Sequence, residues 1–427
     1  MVPEIELLPI FSVSQCDCCP VMRFLIVSQY FEPEIGAAQA RLGAFARGLV
    51  KEGHEVEVVT GMPNHPNGEI ATGYKRCLFR TERTEGFLVR RVWLYAACGS
   101  GLRRVLNYLS FMVMSMFGLL KSKRPDYIFV ESPPLSVMVP ARFFATIWRR
   151  PIILNVADLW LDVAKNLNLM SSGRTFNVLQ KLEKNCYKSA SYISSVTDGV
   201  RVTLETNKGV PSEKILDLPN GVDIEMFKPR SEDSSVLKRF GLEGKDVFLY
   251  AGTVGYAHGL ETGVDAMAKI EREYPRAHLL VVGGGSEWEK VSTYAREGGA
   301  QNVTFAGPVP LEEVAQLLNA SVAAVSTLRD SEVLNGVRPS KIFPAMASGV
   351  PVLYSGAGEG ANLITNSRAG LVSSPGDSTA LSENIKEILS DSEQVVAMGA
   401  AGRTLAEEQF SWSMIIERWL KKVDEIS

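Results

Sequence analysis

The stretch RFLIVSQYFEPEIGAAQARLGAFARGLVKEGHEVEVVT, residues 23–60, decides the fold. It opens on a short apolar run, passes through a loop containing Gly36, and continues with apolar side chains at helical spacing, Ala40, Phe45 and Leu49, as far as Gly53. The alternating run EVEVVT follows. Strand, loop, helix and strand in that order predict two parallel strands joined by a crossover helix.

The same rhythm extends outward. DYIFVES (126–132) and PIILNVADLW (151–160) read as further strands, separated by the double proline at 133 and 134. The turn-rich stretch TNKGVPSEKILDLPNGVDIEMFKPR (206–230) interrupts the pattern, which restarts at VFLYAGTVG (247–255). A second series then runs through strand 247–251, helix 260–272, HLLVVGGG, VTFAG, helix 311–319, AAVST, a short helix after Ser340, and PVLYS. Strands alternating with helices predict an α/β fold of two doubly wound, Rossmann-like parallel-sheet domains facing a central cleft. The expected boundaries are an extension over 1–21, domains over 22–208 and 209–403, and a final helix over 404–427. In such sheets ligands bind beyond the carboxyl ends of the strands, which directs attention to Gly36, Asp158, Gly252–Gly255, Gly283–Gly285 and residues 338–341.

Composition supports two full cores. The chain has 427 residues, 46% hydrophobic and 22% charged, more than one core ordinarily holds. A net charge of -3 gives no general attraction for nucleic acid, so any anion site is local. The only cysteine cluster, CDCC at 16–19, has no second half at metal-ligand spacing and reads as reduced thiols rather than a metal site. Residues 1–21 lack the basic start and long apolar run of a secretory signal, and Met22 is a candidate functional start. The expected location is the cytoplasm, with peripheral contact on the inner face of the plasma membrane as a further reading.

That further reading comes from RRVLNYLSFMVMSMFGLLKSKR, residues 103–124. Its apolar run is shorter than the roughly 20 residues a spanning helix needs, and it contains Asn107, Tyr108 and two serines. It is either a core helix ahead of DYIFV or a helix docked on an anionic membrane face, where its flanking arginines and lysines fit.

Lys341 is the cation that points to chemistry. Ser340 before it is a good helix-cap residue, and Pro344 fits a first helical turn, where a missing N–H is harmless. A lysine at a helix start, with unpaired amides and the positive dipole end, suits a phosphate or diphosphate, although a solvent-facing lysine fits the same pattern. EIGAAQAR and AGTVGYAHG each place glycine between a strand and a helix, where backbone can approach a ligand or simply turn. Neither has GxGxxG spacing or a Walker lysine, so neither a nicotinamide nor an ATP site is supported, and no cofactor is expected. His65, one of four histidines, reads as a loop-packing residue.

Together LPNGVDIEMFKP (218–229), YAGTVGYAHGLET (250–262), VVGGGSEWEKV (281–291), RPSKIFPAMASGVPVL (338–353), NVADLWLDVA (155–164) and the first 27–70 stretch resemble the bacterial retaining glycosyltransferases of family 4. The resemblance runs from Arg23 to FSWSMIIERWL and is similar to the branch that builds capsule, colanic acid and O-antigen units. It implies the GT-B fold, with the donor nucleotide on the second domain, the acceptor on the first, and the final helix packed back on the first. It also implies that Lys341, helped by Arg338, meets the donor diphosphate, that Gly36, Gly252, Gly255 and Gly284 let backbone approach it, and that Asp158 lies near the sugar and acceptor. Asp158 is a catalytic candidate with no nucleophilic role assigned, and its other reading is a helix cap. A departing diphosphate gains negative charge, which preorganised cations stabilise, so no metal is expected, in keeping with the lack of an Asp-x-Asp motif.

The chain departs from the family at two positions, with Gly336 and Pro344 where glutamates are common. The later glutamate commonly bonds the donor ribose, which proline cannot do. Glu359 in GAGEGANLI is the candidate substitute. The expected activity is transfer of a sugar, UDP-linked, to a polyprenyl-diphosphate-linked saccharide. The alternatives are a nucleotide-sugar epimerase on the same fold, and a nucleotide-sugar-binding partner impaired by Pro344.

Overall fold

The computed structural model describes residues 20–426, apart from 35, 66, 98, 100, 167–172 and 231–234. The CDCC cluster and nearly all of the expected extension lie outside them.

The first sheet has eight strands: β1 (Arg23–Val27), β2 (Glu55–Gly61), β3 (Phe79–Thr84), β4 (Phe87–Val92), β5 (Tyr127–Ser132), β6 (Ile152–Val156), β7 (Tyr192–Ser195) and β8 (Ile215–Asp217). Their spatial order is β3-β4-β2-β1-β5-β6-β7-β8. All neighbours are parallel except β3 and β4, an edge hairpin that the sequence pattern did not predict. Glu85 and Gly86 between them take φ of 45° and 89°, the pair of positive values that a type I′ turn requires. The exposed, charged β3 hid the hairpin, because only one face of β4 reaches the core.

Helices cover both faces of this sheet, among them α1 (Ala37–Lys51), α2 (Leu102–Leu120) and α3 (Met138–Trp148). α1 buries Leu42, Phe45, Ala46 and Leu49 on one side of the sheet. α2 packs against α3 and against β2 and β4 on the other, with Phe111 and Leu119 in the core.

The second sheet contains β9 (Asp246–Thr253), β10 (Ala277–Gly284), β11 (Val303–Gly307), β12 (Ala323–Thr327), β13 (Val352–Ser355) and β14 (Gly370–Ser373), all parallel in the order β11-β10-β9-β12-β13-β14. The reversal of direction at β9–β12 makes a topological switch point at their carboxyl ends.

Two expected boundaries move. β8 pairs with β7, so the first domain continues past residue 208. The turn formers near 209 join a helix to the last strand of the same sheet, with Val210 and Ile215 in the first core. At the other end, Ala406 and Phe410 belong to the second core, with the Phe410 ring 4.7 Å from that of Phe343. The chain therefore crosses back at Ser411 rather than at 404. Both crossings run side by side: Val222 N–H donates to the Phe410 carbonyl at 2.8 Å and Trp412 N–H to the Val222 carbonyl at 3.3 Å.

The last helix, Trp412–Glu425, packs back on the first domain. Trp419 is fully buried, with ring centroids of Phe45, Phe24 and Phe129 at 5.1, 5.8 and 6.1 Å. Its indole N–H donates to Ser194 Oγ at 3.3 Å, which satisfies the one polar atom that burial would otherwise strand.

Candidate functional site

Lys341 stands at the carboxyl end of β9. It occupies the cap position of the short helix Ile342–Ala347, while Ser340, expected there, is exposed. Pro344 is the third residue of that helix, within the turn whose N–H groups have no intrahelical partner, so the helix loses no bond to it. The lysine side chain lies along β9. Its Nζ donates to Tyr250 Oη at 2.5 Å, sits 4.0 Å from the centre of the Tyr250 ring, and lies 3.5 Å from the Thr253 carbonyl.

Gly252 makes room for it. With φ of +141° the position is unsuited to an L side chain, and an added Cβ would lie in contact with Lys341 Cε at 3.4 Å. Gly255 N–H donates to His258 Nδ1 at 3.2 Å, which fixes the proton of a neutral ring on Nε2. Gly284 faces Thr253 in register, and its carbonyl accepts from Val254 N–H at 2.8 Å. Burial pulls the Lys341 pKa down to about 7. The residue keeps part of its surface open to solvent, so the pull comes from the protein mass packed around its stem and head. Burial, then the Lys341 charge, lowers His258 to about 3 against the opposing Gly255 bond.

Arg338 and Glu359 meet at the seam between the domains. Glu359 Oε2 is 3.0 Å from Arg338 Nε, and Glu359 Oε1 accepts from the Gly199 amide at the start of the first-domain helix Asp198–Thr206. Thr197 Oγ caps that helix through Val200 N–H at 3.1 Å and donates to the Gly336 carbonyl at 2.7 Å. Burial raises the Glu359 carboxyl above its usual range; the Gly199 amide and Arg338 oppose this. Both oxygens of the candidate ribose acceptor are thus engaged at the seam.

On the first domain, Asp158 lies two residues beyond β6, at the carboxyl end of the sheet. Its side chain is open to solvent but deep among protein atoms. Burial pushes its pKa up, while the Leu159 amide and Arg41 pull it down. Arg41 is held from two sides: it pairs with buried Glu131, which also accepts from Asn155 Nδ2 at 2.7 Å, and it donates to Asn220 Oδ1 at 3.2 Å in the crossing segment. Gly36 caps α1 with its carbonyl accepting from Ala40 N–H at 3.0 Å. His65 packs its ring edge against Tyr30 at 5.8 Å, while its backbone N–H donates to Glu34 at 2.8 Å.

The structure therefore gathers Gly252, Gly255, Gly284 and Lys341 in one group and sets Arg338 with Glu359 at the seam. Asp158 and Gly36 stand on the opposite domain. Sequence reasoning missed Tyr250, His258 and Arg41. His258 was legible as a histidine inside AGTVGYAHG, whereas Tyr250 looks like any buried strand residue. Among the described residues no cluster of three or more His, Cys, Asp or Glu side chains forms a metal site.

Residues 36–221 match the family model described as glycosyl transferase 4-like domain, and residues 245–391 match that of glycosyl transferases group 1. The two matches span both domains in the expected order. The chain belongs to the family 4 glycosyltransferases. This glycosyltransferase is 24% identical over 336 residues to the putative colanic acid biosynthesis glycosyl transferase WcaI of Escherichia coli K12, covering 77% of this chain and 82% of that one. It is 30% identical over 209 residues to the GDP-mannose-dependent α-(1-6)-phosphatidylinositol monomannoside mannosyltransferase of Mycobacterium tuberculosis H37Rv, covering 48% of this chain and 54% of that protein. In fold it matches Anabaena HepE in complex with UDP and glucose, at a TM-score of 0.71 and 18% identity over 94% of this chain and 99% of that one. The architecture is GT-B.

Proposed function

We propose that this glycosyltransferase moves a sugar from a UDP-linked donor to a polyprenyl-diphosphate-linked saccharide, with retention at the anomeric carbon. The observation that carries the donor half is Lys341, an amine packed into the switch point with no carboxylate partner among the described residues. A diphosphate at that position supplies the countercharge that the protein itself does not. In the transfer the acceptor hydroxyl attacks the anomeric carbon and the bond from that carbon to the diphosphate oxygen breaks. The hydroxyl proton passes to the departing diphosphate, whose growing charge Lys341 stabilises without a metal. Asp158 orients the acceptor or sugar from the first domain. The HepE complex with UDP and glucose supports the choice of base, and the role named for WcaI supports a cell-surface polysaccharide product.

The lipid half rests on α2 and α3. Leu102, Val105, Leu106, Leu109, Val113, Phe117 and Leu120 are 43–74% exposed along α2, and Val139, Phe143 and Ile147 are 50–58% exposed on α3. Residues 99–125 and 133–151 contain eight arginines and lysines and no acidic residue, in a chain whose net charge is -3. No helix among the described residues is long and apolar enough to cross a membrane. An apolar face in a basic frame suits the surface of an anionic bilayer, where a polyprenyl-linked acceptor resides.

A second reading, a binding protein without turnover, has Pro344 and Gly336 in its favour. One experiment separates the two. Purified protein is incubated with UDP- and GDP-sugars and a polyprenyl-diphosphate saccharide in vesicles, with and without EDTA, and the product's anomeric configuration is read by NMR. A retained product from a UDP-sugar, unaffected by EDTA, supports the proposal. Donor binding without product from any pair supports the second reading.

A further inference from the structure

α2 is apolar along most of its length, yet Asn107 within it is fully buried and Arg104 in its first turn is half-buried. Asn107 Nδ2 donates to the Tyr95 carbonyl at 2.7 Å and its Oδ1 accepts from Gln29 Nε2 at 2.6 Å; the same Gln29 amide reaches Tyr30 Oη at 3.2 Å. This buried network ties the start of α2 to the segment beyond β1 and fixes where Tyr30 stands. Arg104 lies between Tyr30 and Tyr108. Its Nε donates to Tyr108 Oη at 2.8 Å and its Nη1 to the Ala97 carbonyl at 3.2 Å, and its guanidinium carbon is 4.8 Å and 5.7 Å from the centres of the Tyr108 and Tyr30 rings. Hydroxyl, carbonyl and ring faces hold a cation in place without neutralising it. Every other buried or half-buried arginine among the described residues pairs with a carboxylate, and Arg104 does not. Glu34, the acid whose charge bears on Tyr30, has its oxygens occupied by the amides of Phe31, Asn64 and His65 at 3.2, 2.7 and 2.8 Å.

The location of this unanswered charge points to its ligand. α2 follows β4, which runs parallel to β2, so the helix starts at the carboxyl end of the first sheet, where Tyr30 follows β1 and Asp158 follows β6. β5 alone separates β1 from β6, so these two residues rise from strand ends roughly 10 Å apart, two strand spacings. On the other side Leu102, Val105 and Leu106, exposed by 74%, 48% and 44%, begin the apolar face. Arg104 therefore marks the border between that face and the cleft. We propose that Arg104, set by Tyr30 and Tyr108, binds the diphosphate that joins lipid to saccharide in the acceptor, an anion site separate from Lys341 on the other domain. The inference rests on the reading of the acceptor as polyprenyl-diphosphate-linked. A guanidinium fork suits neighbouring phosphate oxygens and stays charged at any working pH. From this site the lipid chain runs along α2 and the saccharide points toward Asp158.

The test uses the full-length protein and two soluble probes, N-acetylglucosamine joined to a farnesyl chain through a diphosphate and the same sugar on a farnesyl ether. Calorimetry should show the natural protein binding the diphosphate probe about tenfold or more tightly than the ether. Arg104→Gln should abolish that preference while ether binding and the circular dichroism spectrum stay as they were, so that a folding defect is told apart from a lost ligand. Arg104→Lys, a point charge without the fork, should keep only part of the preference. Tyr108→Phe, which removes the hydroxyl that orients Nε, should lower it by a smaller factor than Arg104→Gln. A preference that survives in Arg104→Gln overturns this proposal and leaves the acceptor reading standing. No preference in the natural protein, or no binding of either probe, overturns both. Bilayer headgroups offer the same phosphate chemistry, so cosedimentation with phosphatidylglycerol vesicles is measured alongside. Vesicle binding unchanged in Arg104→Gln, with the probe preference lost, supports the acceptor site. Vesicle binding lost while the preference persists assigns Arg104 to the bilayer surface and overturns the proposal.

Discussion

Gly199 of the first domain lies against Gly336 of the second so closely that a Cβ on Gly199 would overlap Gly336 Cα and sit 2.8 Å from Glu359 Oε1. Gly336 is one of the two departures from the family pattern, and its lack of a side chain is what lets the domains meet here. Gly199→Ala should therefore push the seam apart while leaving the Asp198–Thr206 helix intact, since alanine suits a first helical turn. Small-angle scattering should show a larger radius of gyration, and transfer should drop by about tenfold or more, with the misplacement of groups on opposite domains as the cause. A mutant with unchanged scattering and unchanged turnover would show that the seam has no part in the reaction.

Asp158 predicts a pH profile. Its carboxyl is raised above the ordinary range by burial, with Arg41 opposing the rise, so the ionised form is lost on acidification at a higher pH than for an exposed aspartate. If orientation of the acceptor needs the carboxylate, kcat climbs with pH through an acid limb. Asp158→Asn should remove that limb and lower kcat by about a hundredfold while donor affinity stays within a factor of about two. Arg41→Gln removes the opposing charge and should move the limb to higher pH. An Asp158→Asn enzyme with normal kcat would return Asp158 to the role of a helix-start residue.

The sequence made five of the six strands of the second domain legible, because they are largely apolar and often bounded by glycines, but it missed the helix Trp288–Glu297 and stopped short of β14. It was less informative where local and tertiary signals diverge. The residues around 209 carry turn chemistry yet join elements of a single sheet, and β3 is an exposed edge strand whose one ladder partner is β4. The site shows the same division. Lys341 and the glycines are legible because charge and backbone freedom are properties of residue type. Tyr250 is invisible as a partner because its role comes from a register in β9 that only the fold supplies. Glu359 was legible as a carboxylate in the right region, but its engagement by Gly199 depends on how two domains meet, which no local pattern encodes.

Trp419 tests how the final helix is held. Its indole is fully buried among Phe24, Phe45 and Phe129, in the first domain's core although it is contributed by the far end of the chain. Trp419→Ala leaves a large cavity and an orphaned Ser194 hydroxyl, and should cost about 3–5 kcal/mol. Denaturant unfolding followed by circular dichroism should show that loss. Trp419→Phe, which keeps most of the volume, should recover more than half of it. Equal stability in all three proteins would mean that the Trp412–Glu425 helix is only loosely docked.

The apolar face of α2 and α3 makes the last prediction. Full burial of a large apolar side chain is worth about 1.5–3 kcal/mol, and each nearby lysine or arginine adds about 1 kcal/mol toward an anionic surface. Leu109 and Phe117 are 43% and 48% exposed, so their replacement should remove the proposed bilayer contact without opening the core. Leu109→Ser with Phe117→Ser should lower cosedimentation with phosphatidylglycerol vesicles by about tenfold or more, with the thermal midpoint and the binding of soluble nucleotide unchanged. Lys121→Gln with Arg142→Gln should weaken binding to the same vesicles at low salt and have little effect at high salt, where the field is screened within a few ångströms. Neutral phosphatidylcholine vesicles should bind the natural protein weakly and respond to the serine pair alone. Because the four substitutions lie on the first domain, far in sequence from Lys341, transfer to a short-chain soluble acceptor should survive all of them while transfer to the vesicle-borne acceptor declines. If both acceptors decline together, the face serves the fold of the acceptor domain rather than a bilayer.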